Sequence, residues 1–250
     1  MQASSPEPTV SEPIEHTHHP TRAPRIDKGS IELTDRDLRC VRWIGEQYTV
    51  RFDTLQKLLG REPKHTNGHA PIDGILSERN TRKAIRRWVD AGLVVYKKIL
   101  FAERGYVWLT SLGLKTASLN YKPHTPAVAS LPHLHVLNEL RLKLEGRYQG
   151  RLSWMAEREL RRIHERLDKA KRRGWHLPDA VITLDQKVVA IEVELTQKTD
   201  QRLTETVERL TQQYQGVWYF VADDVHDAVV QAIGNRSQSF RVYRLAEVLT

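Results

Sequence analysis

The stretch LPDAVITLDQKVVAIEVELTQK, residues 177–198, places two acidic side chains inside an otherwise apolar strand. Alternate residues of a strand lie on opposite faces, so Glu192 and Glu194 are predicted to share one face of a strand over 187–195. The other face is aliphatic throughout and consists of Val189, Ile191, Val193 and Leu195. Buried carboxylates are costly without a partner, so this strand predicts a bound cation or a paired basic side chain.

The preceding strand adds a third carboxylate to the same place. The two-residue turn Asp185-Gln186 predicts that a strand over 179–184 pairs antiparallel with the glutamate-bearing strand. Asp179, at its start, is then expected close to the two glutamates. Hard oxygen ligands without Cys or His beside them favour Mg²⁺ or Mn²⁺ over zinc. Such an ion polarises a scissile phosphate and lowers the pKa of an attacking water.

Two further residues are candidates for the same chemistry. Glu157, ahead of the strands, is a candidate metal ligand, and Lys198 is a candidate for orienting the water or stabilising charge on the phosphate. In the structural alternative, both glutamates instead pair with arginines of segment 158–173. Three histidines near predicted helix or strand starts are interpreted as cap or packing residues rather than as bases: His133, His135 and His176.

The charge of the chain favours an acidic partner, with nucleic acid as the first candidate. The 250 residues carry a formal net charge of +8, and the pI is about 9.6. Segments 79–104 and 141–174 have balances of +6 and +7, whereas segment 175–250 has a balance of −4. The predicted carboxylate site therefore lies in an acidic C-terminal part that follows two basic regions.

Cysteine content and hydropathy exclude several classes of protein. Cys40 is the only cysteine, so the chain forms no internal disulfide and has no CxxC pair for zinc. No apolar run approaches the roughly 18–20 residues that span a bilayer, and the N-terminus lacks the apolar region of a signal peptide. We therefore expect a cytoplasmic, soluble protein without a membrane partner.

The first half of the chain has the element order of a winged helix-turn-helix. Residues 1–28 are predicted to be a disordered tail. Within the predicted domain 29–119, helices are expected over about 33–45, 53–59 and 77–91, with a loop at 61–76 and hairpin strands at 93–99 and 106–110. Three prolines mark residues 120–132 as a linker, and a second domain is expected over 133–250.

Helix 77–91 is the predicted DNA-recognition helix. Its apolar stripe of Ile85, Trp88 and Val89 is typical of a core-facing side. In a helix-turn-helix the corresponding helix enters the major groove, where Arg and Lys contact guanine and phosphates and Asn contacts adenine. The candidate DNA contacts are Arg79, Asn80, Arg82, Lys83, Arg86 and Arg87, with Arg104 at the hairpin tip. The alternative is a solvated basic face without a ligand.

The second domain is predicted to be a mixed α/β domain. A helix over about 133–148 has an apolar stripe that either dimerises or docks the two domains. A charged helix is expected over 154–171. A β-β-α-β-α-β order follows, with the two strands described above, a helix over 200–215, the strand VWYFVAD, a helix near 224–234 and a last strand FRVYRL.

Pro178-Asp179 and the strand ending in Glu192-Val193-Glu194 resemble the core of PD-(D/E)xK nucleases. The ordered chain also resembles the replication-relaxation family of plasmid and mobile-element proteins, in which a winged helix precedes a restriction-endonuclease-like domain. The matching segments are the winged helix 33–112, HLHVLNELRLKLE (133–145), WMAERELR (154–161), LPDAVITL (177–184) and AIEVELTQK (190–198).

The resemblance implies a site with Asp179, Glu192 and Glu194 as ligands of Mg²⁺ or Mn²⁺, and Glu157 as the glutamate of the first helix. Gln213-Tyr214 resembles the Gln/Tyr helix motif of some nucleases of this fold. One position departs from the pattern, because Glu194 stands where the nucleases have lysine. Glu-x-Glu occurs in some restriction enzymes of the fold, and a displaced lysine has two candidates: Lys198 and Lys187.

Two functions remain open from the sequence. The first is a Mg²⁺-dependent DNA endonuclease or nickase that acts in plasmid or mobile-element DNA processing. The second is a non-catalytic DNA-binding protein, either a transcriptional regulator or an accessory protein for relaxation or mobilisation, with a degenerate nuclease fold. Both predict double-stranded DNA as the partner. Paired half-sites favour a homodimer, and mobilisation or replication proteins are further expected partners.

Overall fold

The computed structural model describes residues 32–61, 74–167 and 175–250. The predicted tail 1–28, most of the predicted loop 61–76 and the last residues of the predicted helix 154–171 lie outside this part. Within the described part the chain has nine α-helices, a three-stranded antiparallel sheet and a five-stranded mixed sheet, which confirms the expected mixed α/β class. No helix in these three segments is both long and apolar enough to cross a membrane.

The N-terminal part, residues 32–119, combines a helical cluster with the small antiparallel sheet. Its elements are α1 (Asp35–Glu46), β1 (Val50–Arg51), α2 (Phe52–Arg61), α3 (Glu78–Asp90), β2 (Val94–Lys97), β3 (Tyr106–Leu109) and α4 (Ser111–Thr116). The strand order is β1-β3-β2. The three expected helices and the hairpin are confirmed, while β1 and α4 are additions that the sequence pattern did not predict.

Side-chain caps and an apolar stripe explain where these helices begin and pack. The Thr34 hydroxyl accepts from the Asp37 backbone N–H at 3.2 Å, and the Asp37 carboxylate accepts from the Thr34 N–H at 2.9 Å, which is a complete capping box at the start of α1. Ser77 caps α3. Two residues of the expected stripe of α3, Ile85 and Trp88, are buried. The third, Val89, is 41% exposed and lies outside the core, so its place in the stripe was wrong.

The C-terminal part, residues 120–250, is built on the five-stranded sheet. Its α-helices are α5 (Leu131–Arg147), α6 (Glu157–Glu165), α7 (Asp200–Gln213), α8 (His226–Ile233) and α9 (Leu245–Leu249). Its strands are β4 (Leu152–Ala156), β5 (Ala180–Leu184), β6 (Lys187–Glu194), β7 (Gly216–Val221) and β8 (Phe240–Arg244). Two short 3₁₀ helices, Val128–Ser130 and Gly234–Ser239, precede α5 and β8.

The sheet has the order β4-β5-β6-β7-β8. The first three strands run antiparallel to one another, and β7 and β8 continue parallel to β6. The predicted hairpin between β5 and β6 is confirmed. Its turn residues Asp185 and Gln186 have φ angles of 48° and 68°, the positive values that a two-residue turn of this kind requires.

The two faces of β6 are covered by different helices. Val189 and Ile191 pack in one core with α5 residues such as Leu140. Ala190 packs in a second core with α7 residues such as Leu203. Because strand side chains alternate, Glu192 and Glu194 both lie on the α7 side. That they share one face is what the sequence pattern predicted.

Helix α5 joins the N-terminal part to the large sheet. The Asn138 amide donates to the Thr49 carbonyl oxygen at 2.7 Å, and the Arg141 guanidinium donates to Glu46 at 2.9 Å. On its other side, α5 packs against the sheet core. Residues 32–250 form one compact unit, so of the two roles considered for this helix, docking is the one that the contacts show.

One predicted element is wrong at its N-terminal end. Residues 154–156 were expected to begin a charged helix, but they belong to β4, and α6 begins only at Glu157. Along β4, Leu152 and Trp154 are partly buried while Ser153 and Met155 are exposed, the two-residue period of an edge strand. After α5, the order of the C-terminal part is therefore β-α-β-β-α-β-α-β followed by α9, with one more strand than expected.

Candidate functional site

The three predicted carboxylates converge at the carboxyl end of β6. Ala180 pairs with Ile191 across the β5–β6 ladder, which places Asp179 beside Glu192. One carboxylate oxygen of Asp179 accepts from the Val193 backbone N–H at 2.7 Å, and the other lies 2.9 Å from Nε2 of His133. Asp179 is therefore fixed between the sheet and the first turn of α5.

Glu192 is buried and has its own histidine partner. Its carboxylate lies 2.9 Å from Nε2 of His176, and only 5% of the residue is exposed. Burial raises the pKa of the Glu192 carboxyl to about 7, and the nearby charge of Asp179 adds to this rise, while the hydrogen bond from His176 opposes it. Glu192 thus titrates near neutral pH, which a solvated glutamate does not do.

The side chain of Gln213 holds His176 in place. With its amide oriented to suit these neighbours, the Gln213 side chain donates to the His176 carbonyl oxygen at 2.9 Å and accepts from the His176 N–H at 3.0 Å. Burial, followed by the charge of Glu192, raises the pKa of Tyr214. The Gln213-Tyr214 pair noted in the sequence therefore lies at this cluster, where Gln213 positions the histidine that binds Glu192.

Glu194 completes the cluster with a lysine partner. Lys198 forms an ion pair with its carboxylate across four residues of sequence. On the neighbouring strand, the hydroxyl of Tyr219 is buried without a hydrogen-bond partner among the described residues. Burial, with the charges of Glu192 and Glu194, raises the pKa of Tyr219, so its hydroxyl stays protonated beside the carboxylates.

These contacts do not match the ligand set of a divalent cation. Asp179 is engaged by His133, Glu192 by His176 and Glu194 by Lys198. Within residues 32–61, 74–167 and 175–250, no three His, Cys, Asp or Glu side chains form a group that could hold a metal ion. Each carboxylate already has a basic partner, so a metal would have to displace three internal pairs.

Several expected partners at this cluster lie elsewhere. Glu157 pairs with Arg161 and only its backbone N–H reaches the Asp179 carbonyl oxygen, at 3.0 Å. It begins α6, after β4, so it does not occupy the helix that precedes the sheet. The arginines described in segment 158–173 do not pair with Glu192 or Glu194 either; for example, Arg158 binds backbone carbonyl oxygens and Arg162 binds Glu159.

The histidines are the residues that the sequence interpretation undervalued. His133 and His176 contact the carboxylate cluster directly. Burial lowers the pKa of His133, but the hydrogen bond and charge of Asp179 outweigh it and raise this pKa above its usual value. Only the β5–β6 register and the docking of α5 bring these rings to the carboxylates, and neither is readable from local spacing.

The candidate DNA-binding residues gather on the solvent side of α3. Arg79, Asn80, Arg82, Lys83 and Arg86 are exposed. Arg104, on the β2–β3 connection, reaches the same place, because Glu78 at the start of α3 accepts from Arg104 at 2.8 Å and from Arg82 at 2.6 Å. Both guanidinium groups also lie over the Phe52 ring, at 5.2 and 5.5 Å.

Arg87 is separate from this surface. Its guanidinium pairs with Asp37, whose side chain is fully buried, and the indole N–H of Trp88 donates to the same carboxylate at 3.0 Å. Burial raises the pKa of Asp37, but its hydrogen bonds and Arg87 outweigh this effect and lower it. Arg87 therefore fixes α3 to α1 and is not placed for contact with a ligand in front of α3.

Two features of this surface were not identified from the sequence. Glu78 is an acid among the arginines, and it binds two of them at once. Phe101, on the β2–β3 connection, is 99% exposed. The sequence signal for Phe101 was a large apolar residue between Lys98 and Arg104, at a hairpin tip where it has no core to pack against.

Comparison with known proteins found no match among protein-family models, curated proteins or solved structures. The resemblance to PD-(D/E)xK nucleases and to the replication-relaxation family therefore rests on the quoted segments alone. The function has to be argued from the two clusters and from the surfaces around them, because a fold by itself does not specify an activity.

Proposed function

We propose that this protein binds double-stranded DNA through residues 32–119, acting as a winged helix-turn-helix with α3 in the major groove and the β2–β3 connection as the wing. The observation that carries this proposal is the row of exposed cations on one side of α3, continued by Arg104. Cations on a helix that fits the major groove contact both phosphates and guanine. Lys97 and Lys98 extend the positive charge along the β2–β3 hairpin.

The contacts of Glu78 divide the basic residues into those proposed to bind phosphate and those proposed to contact bases. Glu78 holds Arg82 and Arg104 together in the free protein, at a spacing where one phosphate of the DNA backbone would take the place of its carboxylate. Arg79, Lys83 and Arg86 have no such carboxylate partner among the described contacts and are the candidates for base edges. Asn80 lies in the first turn of α3, where adenine is the expected contact.

Phe101 extends the proposed interface beyond charge. Minor-groove proteins insert apolar side chains between base steps and bend the duplex. An exposed Phe101 on a basic wing fits this mode of contact. A wedge of this kind adds affinity that does not depend on salt, in contrast to the phosphate contacts of Lys and Arg.

For the C-terminal part, we propose a PD-(D/E)xK-like domain that supports DNA binding without cleaving DNA. The internal pairing of Asp179, Glu192 and Glu194 favours this alternative over the nuclease. The protein would then act as a transcriptional regulator or as an accessory protein in plasmid or mobile-element DNA processing, binding paired half-sites as a homodimer.

Fluorescence anisotropy with a duplex library and with a random duplex tests the DNA-binding proposal. In the triple variant R82Q/K83Q/R86Q we expect the affinity to fall by about 100-fold at low salt. The salt slope should fall by about 0.9, since Arg82 is the one of the three residues assigned to a phosphate. The matched control R151Q/R209Q/R241Q removes the same charge from exposed positions elsewhere. If both triple variants lose the same amount of DNA affinity, net charge alone explains the loss, which would contradict the proposed interface.

A plasmid assay tests the catalytic alternative, which the convergence of three acids on one strand end supports. Supercoiled DNA is incubated with the protein in Mg²⁺, in Mn²⁺ and in EDTA, beside the Asp179→Asn variant. We expect DNA binding without nicking under all conditions. Nicking that requires both the metal and Asp179 would establish the nuclease and would show that the internal pairs exchange for a cation.

A further inference from the structure

A cleft of about 560 Å³ lies between the N-terminal part and α6. Tyr48 contributes to its lining from the end of α1, the segment 120–124 forms one wall, and Arg158 and Arg161 of α6 form another. His133 also lines it and links it to Asp179 at 2.9 Å. The volume is in the range of small-molecule sites, about 300–1,000 Å³.

A buried positive charge lies in this lining. Arg158 is only 7% exposed, and its guanidinium donates to the carbonyl oxygens of Gly45, at 2.6 Å, and of Lys122. No carboxylate among the described residues pairs with it. Burial lowers the pKa of Arg158, with only the Tyr48 and Tyr121 rings opposing this effect. Buried charges are usually paired with opposite charge. Arg158 instead has two carbonyl oxygens and the faces of Tyr48 and Tyr121, at 5.0 and 4.7 Å, which makes an anion the ligand that would complement it.

The rim adds accessible cations and flat surfaces. Lys122 is exposed and has no carboxylate partner among the described contacts. The Arg161 side chain is 53% exposed and pairs with Glu157 of the same lining, so an anion would take the place of that carboxylate. The imidazole of His124 packs against Tyr48 at 4.9 Å between ring centroids. Tyr48 has a φ of 68°, an uncommon conformation for a residue with a side chain, and such conformations cluster at ligand sites.

We propose that this cleft binds a nucleotide, with the phosphate at Lys122, Arg158 and Arg161 and the base against the exposed His124 ring. Sites that bind single-stranded nucleic acid usually combine basic side chains, which contact the phosphates, with aromatic rings on which the bases stack. The ligand is either a free nucleoside monophosphate or one unpaired nucleotide of a DNA strand, since both present the same phosphate and base.

The cleft is a different surface from α3. None of the cations assigned to duplex binding lines it. The nucleotide proposal therefore stands or falls independently of the proposed duplex-binding function, and the triple variant R82Q/K83Q/R86Q is expected to keep nucleotide binding unchanged.

Isothermal titration with dTMP, with 5′-phosphorylated single-stranded dT6 and with inorganic phosphate tests the proposal. Because Arg158 also holds the cleft wall, the variants are made at the rim. We expect Lys122→Gln and Arg161→Gln each to weaken binding by about tenfold, the usual effect of losing one charge-assisted contact. Arg151→Gln, a similarly exposed arginine at the far hairpin turn, is the matched control and should bind as wild type.

Each outcome decides the proposal. Binding of dTMP supports a free nucleotide as the ligand, whereas binding of dT6 alone supports a nucleotide within a strand. Inorganic phosphate that binds as tightly as both would show a simple anion site and overturn the nucleotide assignment. Absence of binding to all three probes, or equal binding by the rim variants and wild type, would overturn the cleft as a site.

Discussion

The basic surface of α3 and the carboxylate cluster at the end of β6 are both groups of like charge, but they treat that charge differently. Arg82 and Arg104 are about half exposed as side chains, at 54% and 50%. The side chains of Glu192 and Glu194 are only 7% and 6% exposed. Exposed ion pairs contribute little to stability and exchange partners readily, whereas a buried carboxylate that loses its partner destabilises the protein strongly.

This difference teaches how to separate a ligand-binding surface from a structural cluster. On α3, one carboxylate serves two arginines and several cations have none, so the surface has positive charge to offer to a ligand. At β6, each carboxylate has its own partner from another element or turn: His133, His176 and Lys198. We therefore expect variants of the cluster to change stability and variants of the surface to change DNA affinity.

The largest effect is expected for Asp179→Ala. This variant leaves the Val193 N–H without its acceptor and removes the partner of His133, which should lower the free energy of unfolding by about 2–4 kcal/mol. Urea denaturation measures it. Asp179→Asn keeps an acceptor for Val193 and should lose less. If Asp179→Ala unfolds within about 0.5 kcal/mol of wild type, the cluster is not structural and the comparison fails.

The next effect depends on pH and concerns Glu192. Its pKa is about 7 in the folded protein and 4.5 in the unfolded chain, so folding takes up a proton between these two values. The contribution of Glu192 to stability therefore becomes less favourable as pH rises from about 4.5 to 7 and stays so above 7.

The Glu192→Gln variant measures this contribution. Its unfolding free energy relative to wild type should increase across that pH window, as measured by urea denaturation at pH 4.5, 6 and 8. A difference that is independent of pH would mean that Glu192 titrates as a solvated glutamate. Glu205→Gln, on an exposed part of α7, provides the control.

A smaller effect is expected at Gln213. Its amide makes both hydrogen bonds to the His176 backbone, and each such bond contributes about 1 kcal/mol. Gln213→Ala should therefore lower stability by about 1–2 kcal/mol. It should also change the NMR chemical shifts of the His176 ring protons at fixed pH, since the ring loses its fixed position beside Glu192. Unchanged chemical shifts of the His176 ring would show that Gln213 only packs and does not position the histidine.

The smallest effect is expected for Glu78→Gln, which tests the α3 surface rather than the carboxylate cluster. Removing this carboxylate frees Arg82 and Arg104 for phosphate, so the affinity for any duplex should rise by about two- to fivefold at low salt. The free energy of unfolding should change little. Anisotropy titrations of Glu78→Gln beside Glu205→Gln measure the effect, and weaker DNA binding in Glu78→Gln would make Glu78 a direct contact.

Much of the fold was predictable because local patterns were consistent with it. The Thr34–Asp37 capping box, the Ile85 and Trp88 stripe and the Asp185-Gln186 turn each identify an element from a few neighbouring residues. Strand β4 was missed because charged residues that follow Trp154 and Met155 gave the whole segment a helical appearance. Its alternation spans only five residues, and pairing with β5 is what decides that it is a strand.

The candidate sites were predictable in composition but not in their connections. Alternation was enough to place Glu192 and Glu194 together, and the turn was enough to bring Asp179 beside them. Arg87 shows the limit on α3, because its sequence position looks like that of Arg86, yet it binds Asp37 of another helix. The partners of buried charges come from distant elements, and local spacing holds no information about them.

The sequence by itself determined which residues form the helix and strand faces, because side-chain periodicity and turn chemistry act over a few residues. It also determined that two basic segments, 79–104 and 141–174, precede an acidic C-terminal segment, 175–250. Only the tertiary structure decided that His133, His176 and Lys198 pair with the three carboxylates. It also decided that Arg158 is buried in the lining of a cleft, where no carboxylate among the described residues pairs with it. Those outcomes depend on β-sheet register and helix docking, which bring together residues separated by up to 113 positions.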